Sequence, residues 1–371
     1  MSRYHVALTC VEGVGPVAVA KVLEQYPAEE AFGAGVADLQ NLGLSERQAR
    51  AIASFRNFEK VDRIIEQARA VGQKILPIDD ERYPGALRTI HAPPTVLYVR
   101  GELGANNDLA VCVVGTRNPT TYGLDVSRRL GHAMAQSGIC TVSGGARGID
   151  GSAHSGALEG GGLTVAVLGA GLDVPYPPEH EGLFKRIVET GGALVGELPP
   201  GSRPDRGTFP RRNRLMAALG RAIVVVEAGE RSGALITARY AAEQGKTVLA
   251  LPGRITQAQS RGTNRLIRDG AKPLLEVLDV VEEVLGEHVR RGIAEDEARP
   301  ARLRQTLPSP PPGETAQVWK ALQEGEADAD ELVRRTELTA AQVNAALLAL
   351  ELSGHAKRRP GNRYIAYMED A

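Results

Sequence analysis

Cysteine is nearly absent: Cys10, Cys112 and Cys140 are the three in 371 residues, far apart and without CxxC or Cys/His ligand spacing. That excludes a disulfide framework or a zinc site as the organising device and fits a reducing compartment. Long apolar runs are missing too, since none approaches the ~18 residues needed to cross a bilayer. The opening MSRYHVALTC shows no charged-then-apolar leader, so a cytoplasmic protein without a membrane partner is expected. Net charge is missing as well: 44 Lys and Arg against 45 Asp and Glu leave −1. Attraction to a polyanion therefore has to come from local basic clusters, because the molecule as a whole supplies no such field. Lysine itself is scarce, 8 against 36 arginines. Guanidinium is the better fork for phosphate and the better stacker on bases, although biased codon usage explains the same ratio.

What is present is an ordinary globular composition, 43% hydrophobic and 24% charged, with length for two or three domains. Residues 1–73 carry two short helical pairs, CVEGVGPVAVAKVLEQY and LGLSERQARAIASF, and form an all-α module similar to SAM or helix-hairpin-helix units. Residues 74–286 change rhythm. AVCVVG, ICTVSG, LTVAVLG, ALVGEL, AIVVVEA and TVLALPG alternate with helical stretches, and their continuously apolar character fits parallel strands covered on both faces. The expected fold class is α/β, a Rossmann-like doubly wound parallel sheet. Residues 287–314 are charged and proline-rich and read as a partly disordered linker. Residues 315–371 read as three helices and a hairpin around Pro360-Gly361, the order of a winged helix.

Three glycine-rich loops follow the expected strands: Gly115 to Gly123, Ser143 to His154 and Gly169 to Gly171. A loop without Cβ atoms lets amides approach an anion, and a helix starting behind it adds its positive end. Gly115, Thr116 and Arg117 in the first loop, Ser143, Gly144, Gly145, Ala146 and Arg147 in the second, and Gly169 in the third make a candidate phosphate-binding rim. For any single loop, glycines that merely permit a tight turn are the plain alternative. From Gly201 to Arg221 the chain gathers six arginines against Asp205. Pro210 at the first helical position would put Arg211, Arg212 and Asn213 in the first turn, with Arg214 just behind. Cations there oppose the helix dipole, which makes better sense with an anion bound nearby. Phe209, beside these arginines, is a candidate for stacking an unpaired base, or else anchors the core. Ser232 and Gly233 open a further helix at a strand end and offer amides.

Enzyme motifs fail on inspection. Gly245-Lys246-Thr247 resembles the end of a P-loop, but Tyr240 stands where its first glycine belongs. GAGLDV lacks the third glycine of a dinucleotide fingerprint. Asp150 and His154 could face one another on a helix, and a capping Asp with an incidental histidine is the favoured reading. No catalytic residue, metal or cofactor is assigned. The GVGP turn suits either a phosphate-touching helix-hairpin-helix or a plain αα-hairpin. The tail places Lys357, Arg358, Arg359 and Arg363 on its hairpin, while its third helix has no basic residue, which favours protein contact or weak DNA binding there.

Taken in order, VCVVGTRNPTTYG, VSGGARGIDGSAHSGAL, TVAVLGAGLDVPYPPEH, FPRRNRLMAALGRAIVVVEA, SGALITARYAAEQGK and LALPG…GTNRLIRDGA resemble the DNA-processing protein A (DprA) family. The likeness runs from about residue 75 to 275, with Thr116 where the family often has serine. It implies a non-enzymatic protein that binds single-stranded DNA, loads the RecA recombinase on it in natural transformation, and dimerises through the Rossmann-like domain. It also implies DNA contacts at Arg117, Arg206, Phe209 and the glycine loops around Arg147. The alternative from another class is a nucleotide-hydrolysing enzyme of the phosphoribohydrolase type.

Overall fold

The computed structural model describes residues 2–103, 109–205, 207–286, 313–323, 325–336, 338–352, 355–359 and 363–366. It divides into two compact units, Met1–Ile293 and Ala294–Ala371.

The first unit opens with five helices, α1 (Ser2–Cys10), α2 (Pro16–Leu23), α3 (Val36–Asn41), α4 (Glu46–Ala53) and α5 (Phe58–Ala70). Local chemistry sets their starts. Pro16 occupies the first position of α2, where its missing N–H costs nothing. Ser45 and Gln48 form a reciprocal capping box that opens α4. Leu8, Val19, Val22, Leu39 and Ile52 fill the core of this module. Val6 of α1 and Val61 of α5 turn the other way and pack with Tyr98, Leu168 and Leu194 of the sheet region. The helices thus share a core with the sheet.

The sheet follows: β1 (Lys74–Pro77), α6 (Gly85–Arg88), β2 (Val96–Gly101), β3 (Ala110–Val114), α7 (Thr121–Gln136), β4 (Cys140–Ser143), α8 (Ile149–Glu159), β5 (Thr164–Val167), α9 (Glu181–Glu189) and β6 (Ala193–Gly196). Then come α10 (Thr208–Leu219), β7 (Ala222–Val225), α11 (Ala234–Glu243), β8 (Thr247–Ala250), α12 (Arg261–Arg268), β9 (Lys272–Pro273) and α13 (278–286). Strand order is β1-β2-β6-β5-β4-β3-β7-β8-β9. All pairs from β6 to β9 are parallel, while β1 and β2 pair antiparallel at one edge. The six expected strands are all present and the sheet is doubly wound. β1, β2 and β9 were not foreseen: β1 and β9 are short and end in proline, while β2, six residues long, pairs antiparallel outside the parallel rhythm.

Winding runs outward from β3 to β6, then returns to lay β7 beside β3, with Val114 opposite Val225. Parallel sheets bind ligands where this reversal opens a crevice at the strands' carboxyl ends. The helices behind that crevice, α7 and α8, touch backbone to backbone. A Cβ on Gly131 would sit 2.2 Å from the Ala153 carbonyl, and one on Gly156 would sit 2.0 Å from the Arg128 carbonyl. That contact fixes the spacing of the two loops these helices follow.

The second unit contains α14 (Glu314–Gln323), β10 (Ala327–Asp328), α15 (Ala329–Thr336), α16 (Ala340–Leu352), β11 (Ala356–Arg359) and β12 (Arg363–Ala366), with antiparallel order β10-β12-β11. This is a winged helix with one more strand, β10, than expected. Most of the expected linker, at 287–312, lies outside the described residues. No described helix is long and apolar enough to cross a membrane.

Candidate nucleic-acid interface

Two loops meet at the switch point. The first leaves β3 at Gly115, where a Cβ would sit 2.5 Å from Ile149 Cγ1, so only glycine fits. Thr116 N–H donates to the Glu227 carbonyl at 2.7 Å, just beyond β7. The buried Glu227 carboxylate accepts from Thr120 N–H at 2.9 Å and from the Thr120 hydroxyl at 2.6 Å. An acid at the start of α7 also suits the dipole there. With the loop stapled on both sides, Arg117 is exposed, and its guanidinium carbon lies 5.0 Å from the centroid of the Phe209 ring.

The half-buried Phe209 belongs to α10. Its other neighbour is Tyr176, centroids 5.6 Å apart, and Gly169 leaves room, since a Cβ there would come 3.1 Å from the ring. The helix starts earlier than expected. Gly207 is its N-cap and Pro210 its third residue, because Asp205 builds the turn before it: Gly207 N–H donates to Asp205 Oδ1 at 2.6 Å, and the Thr208 hydroxyl donates to the Asp205 carbonyl at 2.8 Å. Arg211, Arg212 and Asn213 therefore stand in the second turn, and the dipole argument built on a first-turn position fails for them.

Helical rotation also separates the arginines. Arg211 is exposed. Arg212 is 6% exposed, and its Nη1 donates to the Gly144 carbonyl at 2.8 Å and to the Val167 carbonyl. Burial pushes its pKa down to about 10. Arg214 turns to the other side, where its Nη2 meets the Glu197 carboxylate, itself pushed up by burial. Asn213 Nδ2 donates to the Gly233 carbonyl at 3.2 Å and so ties α10 to the turn that opens α11.

The loop after β4 is built differently. Ser143 is buried, its hydroxyl donating to the Val113 carbonyl at 2.6 Å. Asp150 accepts from Gly144 N–H at 3.1 Å and Ala146 N–H at 3.4 Å. Arg212 holds the opposite side of the Gly144 peptide. Burial raises the Asp150 pKa, and the Arg212 charge works against that rise. Asp150 is thus a loop-holding acid, and the buried His154 bonds Thr164 Oγ1 at 2.6 Å. Gly145 packs on Phe184. Arg147 pairs with Glu179, Nη2 to Oε2 at 3.0 Å, which holds that carboxyl down to about 2.

Of the expected site residues, Gly115, Thr116, Arg117, Ala146, Phe209, Arg212, Asn213, Ser232 and Gly233 line one cleft of about 480 Å³ between the ends of β3 and β7. Gly144, Arg147 and Gly169 line an adjoining cavity that shares Arg117, Phe209 and Arg212. Ser232 offers no spare amide, since its N–H donates to Gly229 and its Oγ accepts from Ala234 N–H at 3.3 Å. Ser143 and Arg214 do not reach the rim. Arg206 lies outside the described residues. Lys246 is a structural cation: its Nζ donates to the Ala217, Ala218 and Gly220 carbonyls at the end of α10. Tyr176 and Glu227 escaped sequence reasoning; Glu227 had one signal, an acid immediately after an apolar strand. In the winged helix, Arg363 meets Glu326 at 3.2 Å and Glu331 at 3.6 Å. The side chains of Lys357, Arg358 and Arg359 lie outside the described set.

Fold and rim together define a class: doubly wound α/β proteins with a switch-point cleft bearing an arginine over an aromatic ring, followed in the chain by a winged helix. The chain belongs to the DNA recombination-mediator protein A (DprA) family, whose profile matches residues 74–285, with the DprA winged helix domain profile matching 302–362. A relative described as a putative DNA processing protein DprA, from Mycobacterium tuberculosis, is 42% identical over 79% of this chain and 77% of its own. DNA processing protein A from Streptococcus pneumoniae superposes with a TM-score of 0.66 at 30% identity, covering 76% of this chain and 98% of that one. The Helicobacter pylori protein, whose structure is described as revealing a unique single-stranded DNA binding mode, gives 0.53 at 30% identity over 58% and 96%.

Proposed function

We propose that the carboxyl edge of the sheet binds single-stranded DNA largely without sequence preference. The carrying observation is the exposed Arg117 guanidinium over the half-buried Phe209 ring at the mouth of the switch-point cleft. A cation beside an aromatic face suits a phosphate next to an unpaired base, and any base has a face to stack. Among the described residues neither Arg117 nor Arg211 pairs with a carboxylate. The ligand sites are Arg117 and Phe209 at the mouth of the cleft, with Gly115, Thr116, Ala146 and Gly169 shaping the rim; Arg211 is exposed beside the rim without lining it, and Gly145 is buried on Phe184. The buried Gly144, Arg212 and Asn213 hold it in place.

Membership in a recombination-mediator family supports the rest of the reading: a cytoplasmic homodimer, joined through the Rossmann-like domain, that loads RecA on the bound strand. RecA-dependent ATP hydrolysis on single strands should then start sooner with this protein present, and light scattering should give twice the chain mass.

The test is fluorescence anisotropy with a labelled dT20 and a matched duplex across a salt series. Log affinity for the single strand should fall with log salt at about −0.7 per neutralised phosphate, so Arg117→Ala should flatten the slope by about 0.7. Phe209→Leu should weaken binding by about 1–3 kcal/mol at an unchanged slope. Equal affinity for duplex and single strand, or a wild-type slope in Arg117→Ala, would remove the rim from the reading. The hydrolase alternative needs a carboxylate ready to act in the cleft, whereas Asp150 is engaged by two amides and Glu227 by Thr120. Release of free base from a nucleoside monophosphate would restore it.

A further inference from the structure

A second cleft, of about 700 Å³, opens where the N-terminal helices meet the sheet region. Cys10, Gly15 and Lys60 line its helical wall; Leu168, Gly169 and Arg211 line the other. Leu168, Gly169 and Arg212 also line the small cavity beside Phe209, so the two spaces meet at the ends of β5 and α10. The cleft therefore adjoins the rim, with these residues as the common wall.

Its charge is mixed, with cations in the majority. Lys60 and Arg211 are both exposed. Two acids face the space, Glu12 and Glu197. Glu197 is taken up by Arg214, which leaves Glu12, and Arg47 reaches the turn next to it, with Nη2 3.4 Å from where a Cβ on Gly13 would be. A polyanion arriving from the rim meets more cations than free acids, and the attraction is local, as a molecule of net charge −1 requires.

We propose that single-stranded DNA leaving the Arg117–Phe209 rim continues into this cleft, with Arg211 and Lys60 neutralising its phosphates and the N-terminal module as second wall. The proposal rests on the DNA reading of the rim and extends its footprint. It gives the GVGP hairpin, otherwise a packing element, a place on the lip of the path, through Val14, Gly15 and Pro16.

The protein carries its own reporter. Cys10 lines the cleft and is half-buried, whereas Cys112 and Cys140 are buried, so alkylation of the folded chain reads Cys10. Saturating dT20 should slow that alkylation several-fold. In parallel, Lys60→Ala, an exposed position that leaves the fold intact, should flatten the salt slope for dT20 by about 0.7 and weaken binding about fivefold at 0.1 M salt; Lys60→Arg should restore both. Binding of dT20 that depends on Arg117 but leaves Cys10 reacting at its unbound rate, or leaves Lys60→Ala with the wild-type slope, overturns the extended path and spares the rim. Binding indifferent to Arg117 and Lys60 alike takes down both.

Discussion

The loop after β3, with Gly115 as its one glycine, holds Arg117 in solvent above Phe209, whereas the loop after β4, with Gly144, Gly145 and Gly148, has its arginine paired with Glu179 and two of its amides held by Asp150. Both follow parallel strands, both precede a helix, and the two pack on each other: a Cβ on Gly148 would sit 2.5 Å from the Thr116 carbonyl. The difference lies in where acids reach. In the first loop the acid, Glu227, arrives from β7 and takes Thr120, at the foot of the loop. In the second, Asp150 lies six residues beyond Gly144 and folds back over the loop itself. Amides are engaged in both loops, since Thr116, Asn118 and Thr120 N–H all have acceptors in the first, so what the nearest carboxylate decides is whether the loop's arginine is left unpaired for an anion.

The largest expected effect comes from breaking the second loop. Asp150→Ala strands the Gly144 and Ala146 amides and leaves the Arg212 charge buried without compensation. Removing one member of such a buried arrangement costs about 3–5 kcal/mol, read as a lower urea midpoint. A loss under about 1 kcal/mol would mean that the loop stands without its acid. Next comes pH. Buried His154, on the same helix as Asp150, has its pKa pushed down to about 3. Below pH 6.5 the unfolded chain takes up a proton that the folded ring refuses until about pH 3. Stability is thus complete above 6.5 and falls as pH drops through that window, by about 1.4 kcal/mol per unit from this group. His154→Gln should flatten the decline between pH 7 and pH 5 in a melting series; an unchanged decline would assign it to other groups.

The same contrast explains what was legible beforehand. Strand runs such as AVCVV and AIVVV, and the glycines that end them, are local patterns, and the doubly wound sheet follows from their rhythm. The winged helix was readable for the same reason, apart from the two-residue β10. Pairings are not local. Glu179 stands 32 residues from Arg147, and Glu197 stands 17 from Arg214, so nothing in the string marked these arginines as occupied. The run Arg211, Arg212 and Arg214 read as one basic cluster, yet helical rotation leaves only Arg211 at the surface, and replacing all three would test stability before binding. Phe209 was marked by its neighbours in sequence, Tyr176 by nothing, because it reaches the ring from another loop.

The smallest expected effect is the most direct probe of the comparison. Glu179 stays ionised down to about pH 2 because Arg147 holds it, so across the working pH range the exposed Arg147 guanidinium faces a charged carboxylate and the second loop contributes no unpaired cation of its own. Glu179→Gln keeps the side chain's shape and removes the charge that holds the guanidinium. Arg147 then stands beside Arg117 on the wall of the same small cavity, and the two loops become alike in charge if not in amides. Affinity for dT20 should rise, by at most about fivefold at 0.1 M salt, with a slope steeper by up to about 0.7. Arg147 loses side-chain freedom when it grips a phosphate, which makes the gain smaller than that bound. Glu179→Gln combined with Arg147→Ala should return binding to the wild-type value. If Glu179→Gln alone leaves the slope unchanged, then the acid is not what separates the two loops, and the placement of Arg117 over the Phe209 ring has to account for the difference.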